Sequence, residues 1–192
     1  MSVHLVEQKG SVRGRVSAAE WEARVTLAAG HRVLAHYGVN DMTYNHFAVR
    51  VPDAPDHMLV KHTGEMFSEV TASSLLTCDL DGNVIEPGDM GRIRGGALII
   101  HAGLLRARPD LNATLHTHTP NIMGVCAHRE GLLPICQHAM RFYGEMKYHE
   151  FAGFEFDPDM TAHLLRDLDG GQFMLLRNHG ALVCGESAPE CV

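Results

Sequence analysis

The sequence is short of the residues that define several classes of protein. Its five cysteines are scattered without a C-x-x-C pair, which argues against a disulfide framework and against a cysteine-built zinc site. No apolar run approaches the ~20 residues that a membrane-spanning helix needs, and residues 1–14 are too polar for a secretory signal. A net charge of −7 disfavours nucleic-acid binding. We therefore expect a cytoplasmic protein with neither nucleic acid nor membrane among its partners.

Histidine, by contrast, is abundant, at 14 of 192 residues. Its imidazole is the commonest metal ligand in proteins and the usual proton shuttle near neutral pH. His116 and His118 are one residue apart after an apolar lead-in, so on a strand they would share one face and could bind one divalent ion. His179, in the sequence Arg-Asn-His-Gly, is the candidate third ligand. The sequence thus predicts a three-histidine metal site with open positions for a substrate.

The length is sufficient for one domain with a full hydrophobic core. We predict a loose N-terminal arm over residues 1–16 and a single domain over 17–192. Ser17 with Glu20 forms a capping-box pattern, which predicts a helix that ends near Tyr37. Four apolar residues at helical spacing predict its buried stripe: Trp21, Val25, Ala28 and Ala29. Ser187 can cap a further helix, so we expect the domain to continue beyond Val192.

The rest of the chain alternates between strand and helix patterns. Strands are predicted at 47–51, 57–60, 74–79, 83–85, around His116, at 172–176 and at 181–184. Helices are predicted at 97–107, 120–127 and 157–168. Residues 139–157 are aromatic-rich and show no clear period. The pattern indicates an α/β domain with helices beside a central, mostly antiparallel sheet.

Six motifs, in this order, resemble the class II aldolase/adducin family: NHFAVR at 45–50, ASSLL at 72–76, DLDGNV at 79–84, RARPDLNA at 106–113, HTHT at 116–119 and LRNHG at 176–180. The resemblance covers about residues 18–190. It implies a three-layer α/β/α fold and a divalent metal, zinc first, with Mn, Co or Fe as alternatives, on His116, His118 and His179. It also implies a homo-oligomer, typically a tetramer with sites at subunit interfaces.

One departure from the family pattern bears on the reaction. The aldolases of the family carry a catalytic glutamate four residues before the histidine that corresponds to His101, and here that position is Ala97. Decarboxylation needs a proton donor after the bond breaks, not a base at that position. The local sequence at 44–46 and 133–138 resembles more closely the adducin-like bacterial branch, which includes metal-dependent decarboxylases. We expect a carbon–carbon lyase, decarboxylase-type, acting on an oxo- or hydroxy-carboxylate, aromatic ones included, with a metal-stabilised enolate.

The candidate site residues follow from this expectation. Two residues are predicted as catalytic proton donors: His62 and Tyr143. Four are predicted to bind the small-molecule carboxylate substrate: His46, Lys61, Thr63 and Arg141. His46 is also a third potential donor, and His101 would border the site or pack in the core.

Other functions remain open at this level. An aldolase that cleaves a hydroxy-oxo acid would use the same metal site. A non-enzymatic, adducin-like scaffold domain would carry the same histidines. Iron and oxygen chemistry ranks lower, because the usual facial triad includes a carboxylate ligand.

Overall fold

The computed structural model of the protein describes residues 12–85, 93, 95–151, 153 and 159–192. Within these residues seven strands form one sheet: β1 (His46–Val51), β2 (Ala54–Val60), β3 (Leu76–Asp79), β4 (Ala113–Thr117), β5 (Met146–His149), β6 (Phe173–Leu176) and β7 (Gly180–Gly185). Their order across the sheet is β3-β2-β1-β4-β7-β6-β5. Every neighbouring pair is antiparallel except β5 and β6, which are parallel. The mostly antiparallel sheet expected from the sequence is therefore confirmed.

Helices cover both faces of the sheet, which gives the predicted three layers. They are α1 (Ala18–His36), α2 (Gly103–Ala107), α3 (Pro120–Ala127), α4 (Gln137–Met140), α5 (Asp159–Leu168) and α6 (Ala188–Cys191). Side chains alternate along each strand, so β2 sends Met58 and Val60 to the core under α2 and α5 and sends Leu59 to the core under α1. Each face of the sheet thus carries its own apolar core.

Helix α1 begins as its capping pattern predicts, but its predicted buried stripe is wrong in part. The Ser17 hydroxyl accepts a hydrogen bond from the Glu20 amide at 3.0 Å. Val25 is 45 % exposed, and Ala29 is also exposed. The buried stripe is instead Arg24, Leu27, Ala28, His31 and Leu34. A hydrophobic pattern does not include arginine, yet Arg24 is buried because its guanidinium finds Glu20, the Leu75 carbonyl and Thr77 as partners.

Several other elements differ from the sequence prediction. The predicted strand at 83–85 is reduced to a single bridge between Cys78 and Val84. There the Asp79 carboxylate accepts hydrogen bonds from the amides of Asp81 and Asn83 and so forms the turn. The predicted helix at 97–107 begins as a π-helical segment, Ala97–Ala102, before it becomes α2. The sequence does not predict strand β5 or helix α4, because four residues are too few to show a period.

Some predictions fall on residues outside the described part of the chain. Residues 1–11 of the predicted arm and the predicted helix start at 157–158 lie there. Val12–Gly14 forms one 3-10 turn, in which Val12 is buried. Within the described residues, no helix combines the length and the apolar character that crossing a membrane requires.

Candidate metal centre

Three histidine side chains converge at one end of strands β4 and β7. The Nε2 atom of His118 lies 2.8 Å from that of His116 and 3.0 Å from that of His179. The third separation, between His116 and His179, is 3.3 Å. A point about 1.1 Å outside the plane of these three nitrogens lies ~2.1 Å from each, which is the usual length of a zinc–nitrogen bond. The donor set and its spacing therefore fit a divalent metal with positions open on one side.

The register of the sheet produces this convergence. On β4, His116 pairs with Leu182 of β7 on one side and with His46 of β1 on the other. His118 follows just beyond the end of β4 and keeps the alternation of the strand, so its side chain lies on the same face as that of His116. His179 reaches the same point from the turn between β6 and β7. Ligands from distant parts of the sequence therefore meet through strand pairing.

The turn that carries His179 has an unusual backbone. Asn178 has a φ of 58°, a left-handed conformation that asparagine tolerates better than most residues. The backbone amide of Asn178 donates to the Cys126 carbonyl at 3.2 Å, and the Cys126 thiol donates to the Gly180 carbonyl at 3.0 Å. A Cβ on Gly180 would overlap the Thr117 carbonyl and lie 2.8 Å from Cδ2 of His118. Only glycine fits where this turn meets the end of β4.

The protonation of His116 is set by its partner. Its Nδ1 atom lies 2.9 Å from the Ala181 carbonyl, which can only accept, so Nδ1 carries the proton and Nε2 presents a lone pair. Burial lowers the pKa of His116 well below its usual value, and His46 adds to this effect. A neutral imidazole with a free Nε2 lone pair is the form that binds metal.

His118 has two partners in the loop that precedes β1. Its Nδ1 atom lies 3.1 Å from Oδ2 of Asp41, and its backbone amide donates to Oδ1 of Asn45 at 2.8 Å. Asn45 is 1 % exposed, and its Nδ2 group has no hydrogen-bond partner. A buried amide donor without a partner is costly, so this group suits an oxygen ligand that enters the site.

Beside the three histidines lies a second histidine pair, in which His101 is buried and His46 is half-buried. The Nδ1 atom of His46 lies 2.6 Å from Nε2 of His101, and Nδ1 of His101 lies 2.6 Å from the Thr114 hydroxyl. The centroid of the His46 ring is 4.9 Å from that of His116. Burial lowers the pKa of His46 well below its usual value and that of His101 to about 3, so both rings are neutral. His101 is fully buried and is linked to the candidate site through His46, so both sequence interpretations apply to it in part.

The remaining predicted site residues lie in different settings. Lys61 is 3 % exposed, and its ammonium donates to the carbonyls of Thr43 at 2.9 Å and His62 at 3.3 Å. His62 follows it, half-buried, and the Thr63 side chain is exposed. Arg141 and Tyr143 lie on the exposed segment after α4, with Tyr143 70 % exposed. A substrate contact for these five residues remains a prediction.

Ala97 lies at the start of the π-helical segment, four residues before His101. Its methyl group packs against the core under α2 and α5. No group capable of proton transfer therefore stands at this position, where the related aldolases are expected to carry a glutamate.

Sequence reasoning missed several residues that support the site, namely Asp41, Thr114 and Cys126, and gave Asn45 no role. Asn45 could have been identified from the sequence, since it stands directly before His46 in one of the six motifs. Asp41 and Cys126 could not, because only the tertiary structure brings them close to a histidine or to the turn that carries it.

The fold and the site together define an α/β protein with a three-histidine centre of the kind that binds a catalytic metal. The class II aldolase and adducin N-terminal domain model matches residues 25–192, and the chain belongs to this family.

Relatives of two kinds are similar to the chain. A Caulobacter vibrioides protein classed as aldolase class 2 is 39 % identical over 181 residues, which is 94 % of this chain and 70 % of the relative. Rat (Rattus norvegicus) alpha-adducin is 34 % identical over an alignment of 196 positions, which covers 99 % of this chain but only 26 % of that protein. The sequence therefore resembles both bacterial aldolase-type proteins and one segment of a longer adducin.

Solved structures of the family have the same fold. An aldolase II superfamily protein from Pseudomonas syringae superposes with a TM-score of 0.88 at 43 % identity, covering 93 % of this chain and 72 % of that chain. The L-fuculose 1-phosphate aldolase from Glaciozyma antarctica PI12 superposes with a TM-score of 0.79 at 25 % identity, covering 91 % and 68 %. The expected class II aldolase fold is confirmed.

Proposed function

We propose that the protein is a metal-dependent carbon–carbon lyase that decarboxylates an oxo- or hydroxy-carboxylate. The observation that carries the proposal is the convergence of three Nε2 atoms within 3.3 Å, in a chain that has alanine, Ala97, at the position four residues before His101. His116, His118 and His179 would hold the ion, zinc first. The bound ion would supply Lewis-acid polarisation of the substrate's chelating oxygens.

Decarboxylation suits the residues that surround the histidines. When the carbon–carbon bond breaks, carbon dioxide leaves and the electron pair stays on the remaining carbon, which then takes up a proton. A proton donor is sufficient for this step. His62 and Tyr143 are the proposed donors, with His46 as the third candidate because its ring lies against that of His116.

Substrate recognition is proposed for a second group of residues. A carboxylate has acceptor oxygens only, and the buried Nδ2 group of Asn45 is a donor without a partner. Lys61 adds positive charge near His46, and Arg141 offers a bidentate fork. Because Arg141 and Tyr143 are exposed on the chain, we propose that they act across the interface of a homo-oligomer, with a tetramer as the first expectation.

The first experiment measures metal content. Protein purified without added metal should contain close to one divalent ion per chain, and less than roughly a tenth of an ion would contradict the enzymatic proposal. The second experiment measures carbon dioxide release from a panel of 2-oxo and hydroxy-aromatic acids. Release by the wild type, with no gain in Ala97→Glu, would support decarboxylation over aldol cleavage. Turnover that requires Ala97→Glu would support an aldolase instead.

A non-enzymatic scaffold is the second candidate function. Its supporting observation is the match of 99 % of this chain to alpha-adducin at 34 % identity. A metal-free protein with a normal fold would favour this alternative.

A further inference from the structure

One short loop contacts a single candidate metal ligand in two ways. Residues 41–45, called here the 41–45 loop, place the Asp41 carboxylate 3.1 Å from Nδ1 of His118 and the Asn45 amide oxygen 2.8 Å from the His118 backbone amide. The first contact fixes the ring, and the second fixes the backbone that carries it. His116 needs no such loop, because its Nδ1 partner is a carbonyl of the neighbouring strand.

The carboxylate determines which nitrogen of His118 carries the proton. An ionised carboxylate only accepts hydrogen bonds, so Nδ1 must donate and Nε2 must present its lone pair to the point shared with His116 and His179. In known metal sites a carboxylate at this position fixes the tautomer and orientation of the ligating histidine. His118 has 14 % of its side chain exposed and Asp41 36 %, so water screens this contact only in part.

Hydrogen bonds constrain the backbone of the 41–45 loop itself. The Tyr44 amide donates to the Asp41 carbonyl at 2.9 Å and closes a turn. Met42, inside this turn, has a φ of 44°, which a residue with a side chain adopts only when its surroundings impose it. The ammonium of Lys61 supplies one such constraint by donating to the Thr43 carbonyl at 2.9 Å from a buried position.

We propose that the 41–45 loop, anchored by Lys61, sets the tautomer and the position of His118, and that Asp41 is thereby a positioning residue for the metal. The proposal rests on the proposed function only in that a metal binds the three histidines. It does not depend on which carbon–carbon bond is cleaved.

The first test reads the tautomer in metal-free protein. Long-range ¹H–¹⁵N NMR spectra of the histidine rings distinguish protonated from unprotonated ring nitrogens, and the His118 signals are assigned by comparison with His118→Gln. We expect wild-type His118 to be in the Nδ1–H form and Asp41→Ala to shift it towards the Nε2–H form. Asp41→Asn keeps an acceptor without the charge and should give an intermediate result.

The second test measures zinc affinity by competition with a chromophoric chelator. We expect Asp41→Ala to bind zinc roughly 10–100-fold more weakly, as loss of such a partner does in known sites, and Asp41→Asn to lose less. Lys61→Met, which removes the anchor but keeps an unbranched apolar chain, should also weaken binding. Asp81→Asn is the matched charge control, because its ion pair with Arg106 is exposed and forms beyond the opposite end of β2. It should change affinity by less than about twofold.

The outcomes separate the two proposals. A wild-type protein that binds no zinc would contradict the proposed function, and the tautomer shift would still decide the role of Asp41 in the metal-free protein. If the wild type binds zinc but Asp41→Ala retains both its affinity and the Nδ1–H form, the role of the loop is overturned. If Asp41→Ala loses its fold, Asp41→Asn decides the result in the same way.

Discussion

A methyl group added to Gly180 should disturb both stability and metal binding. This residue begins β7 directly after His179, and it packs against the end of β4. The added Cβ would overlap the Thr117 carbonyl and lie 2.8 Å from Cδ2 of His118. Backbone cannot move aside as a flexible side chain can, so β4 and β7 must separate locally.

The size of the effect follows from the cost of overpacking. Forcing an extra carbon into a packed site typically costs about 1–3 kcal/mol. In a chain of 192 residues each kcal/mol lowers Tm by about 2–4 °C, so we expect Gly180→Ala to melt roughly 2–12 °C below the wild type. Because His118 and His179 flank the strained position, zinc affinity should fall by at least about tenfold, which corresponds to ~1.4 kcal/mol.

Gly124→Ala is the matched control, since it adds the same methyl group. Gly124 lies inside α3 with no heavy atom within 4 Å of the added Cβ. Alanine is favoured over glycine in a helix by roughly 0.5–1 kcal/mol, so this variant should melt at or above the wild-type temperature and bind zinc normally. Thermal unfolding followed by circular dichroism and a zinc competition titration would measure both. A Gly180→Ala variant with wild-type Tm and affinity would refute the steric argument.

Three further predictions concern other buried groups. Burial lowers the pKa of Lys61 from 10.5 to about 8. Between pH 8 and 10.5 this lysine is therefore protonated in the unfolded chain but largely neutral in the folded protein, so its contribution to the free energy of unfolding rises with pH. The unfolding free energy of the wild type minus that of Lys61→Met, from urea titrations, should therefore grow between pH 8 and 10.5, by up to roughly 3 kcal/mol; a flat difference would contradict this. Arg24→Met should cost about 3 kcal/mol or more in urea unfolding, because the Glu20 carboxylate loses its charged partner and the Leu75 carbonyl its donor; a cost under ~1 kcal/mol would contradict this. His116→Ala should lose the metal, measured by elemental analysis, whereas His62→Ala should retain it; equal metal content in both would count against the proposed ligand set.

The strongest sequence signals were those that depend on local geometry. An H-x-H pair on a strand shares a face because successive side chains alternate, and the structure places His116 and His118 in this way. The Ser17 N-cap was equally predictable, because it depends on a backbone amide only three residues away. Short elements of secondary structure could not be predicted from the sequence. Four-residue β5 pairs in parallel with β6, and nothing within Met146–His149 shows that pairing.

The burial of polar residues could not be predicted from the sequence either. Arg24 and His101 are fully buried, although the hydrophobic pattern does not include the first and leaves two interpretations open for the second. A charged or polar side chain is buried in a core only where hydrogen-bond partners are available, and here those partners come from distant segments of the chain. For His101 they are the Thr114 hydroxyl and His46.

The amino-acid sequence determined the family, the alternation of strands and helices, and which three histidines are suited to hold a metal. The tertiary structure decided what surrounds them. Asp41 and Asn45 reach His118 across more than 70 positions of sequence, through contacts that strand pairing creates. Hydrogen bonds depend on separations of a few tenths of an ångström, which only the packed sheet and its loops fix. For this reason the candidate ligands could be predicted from the sequence, whereas the groups that contact His118 could not.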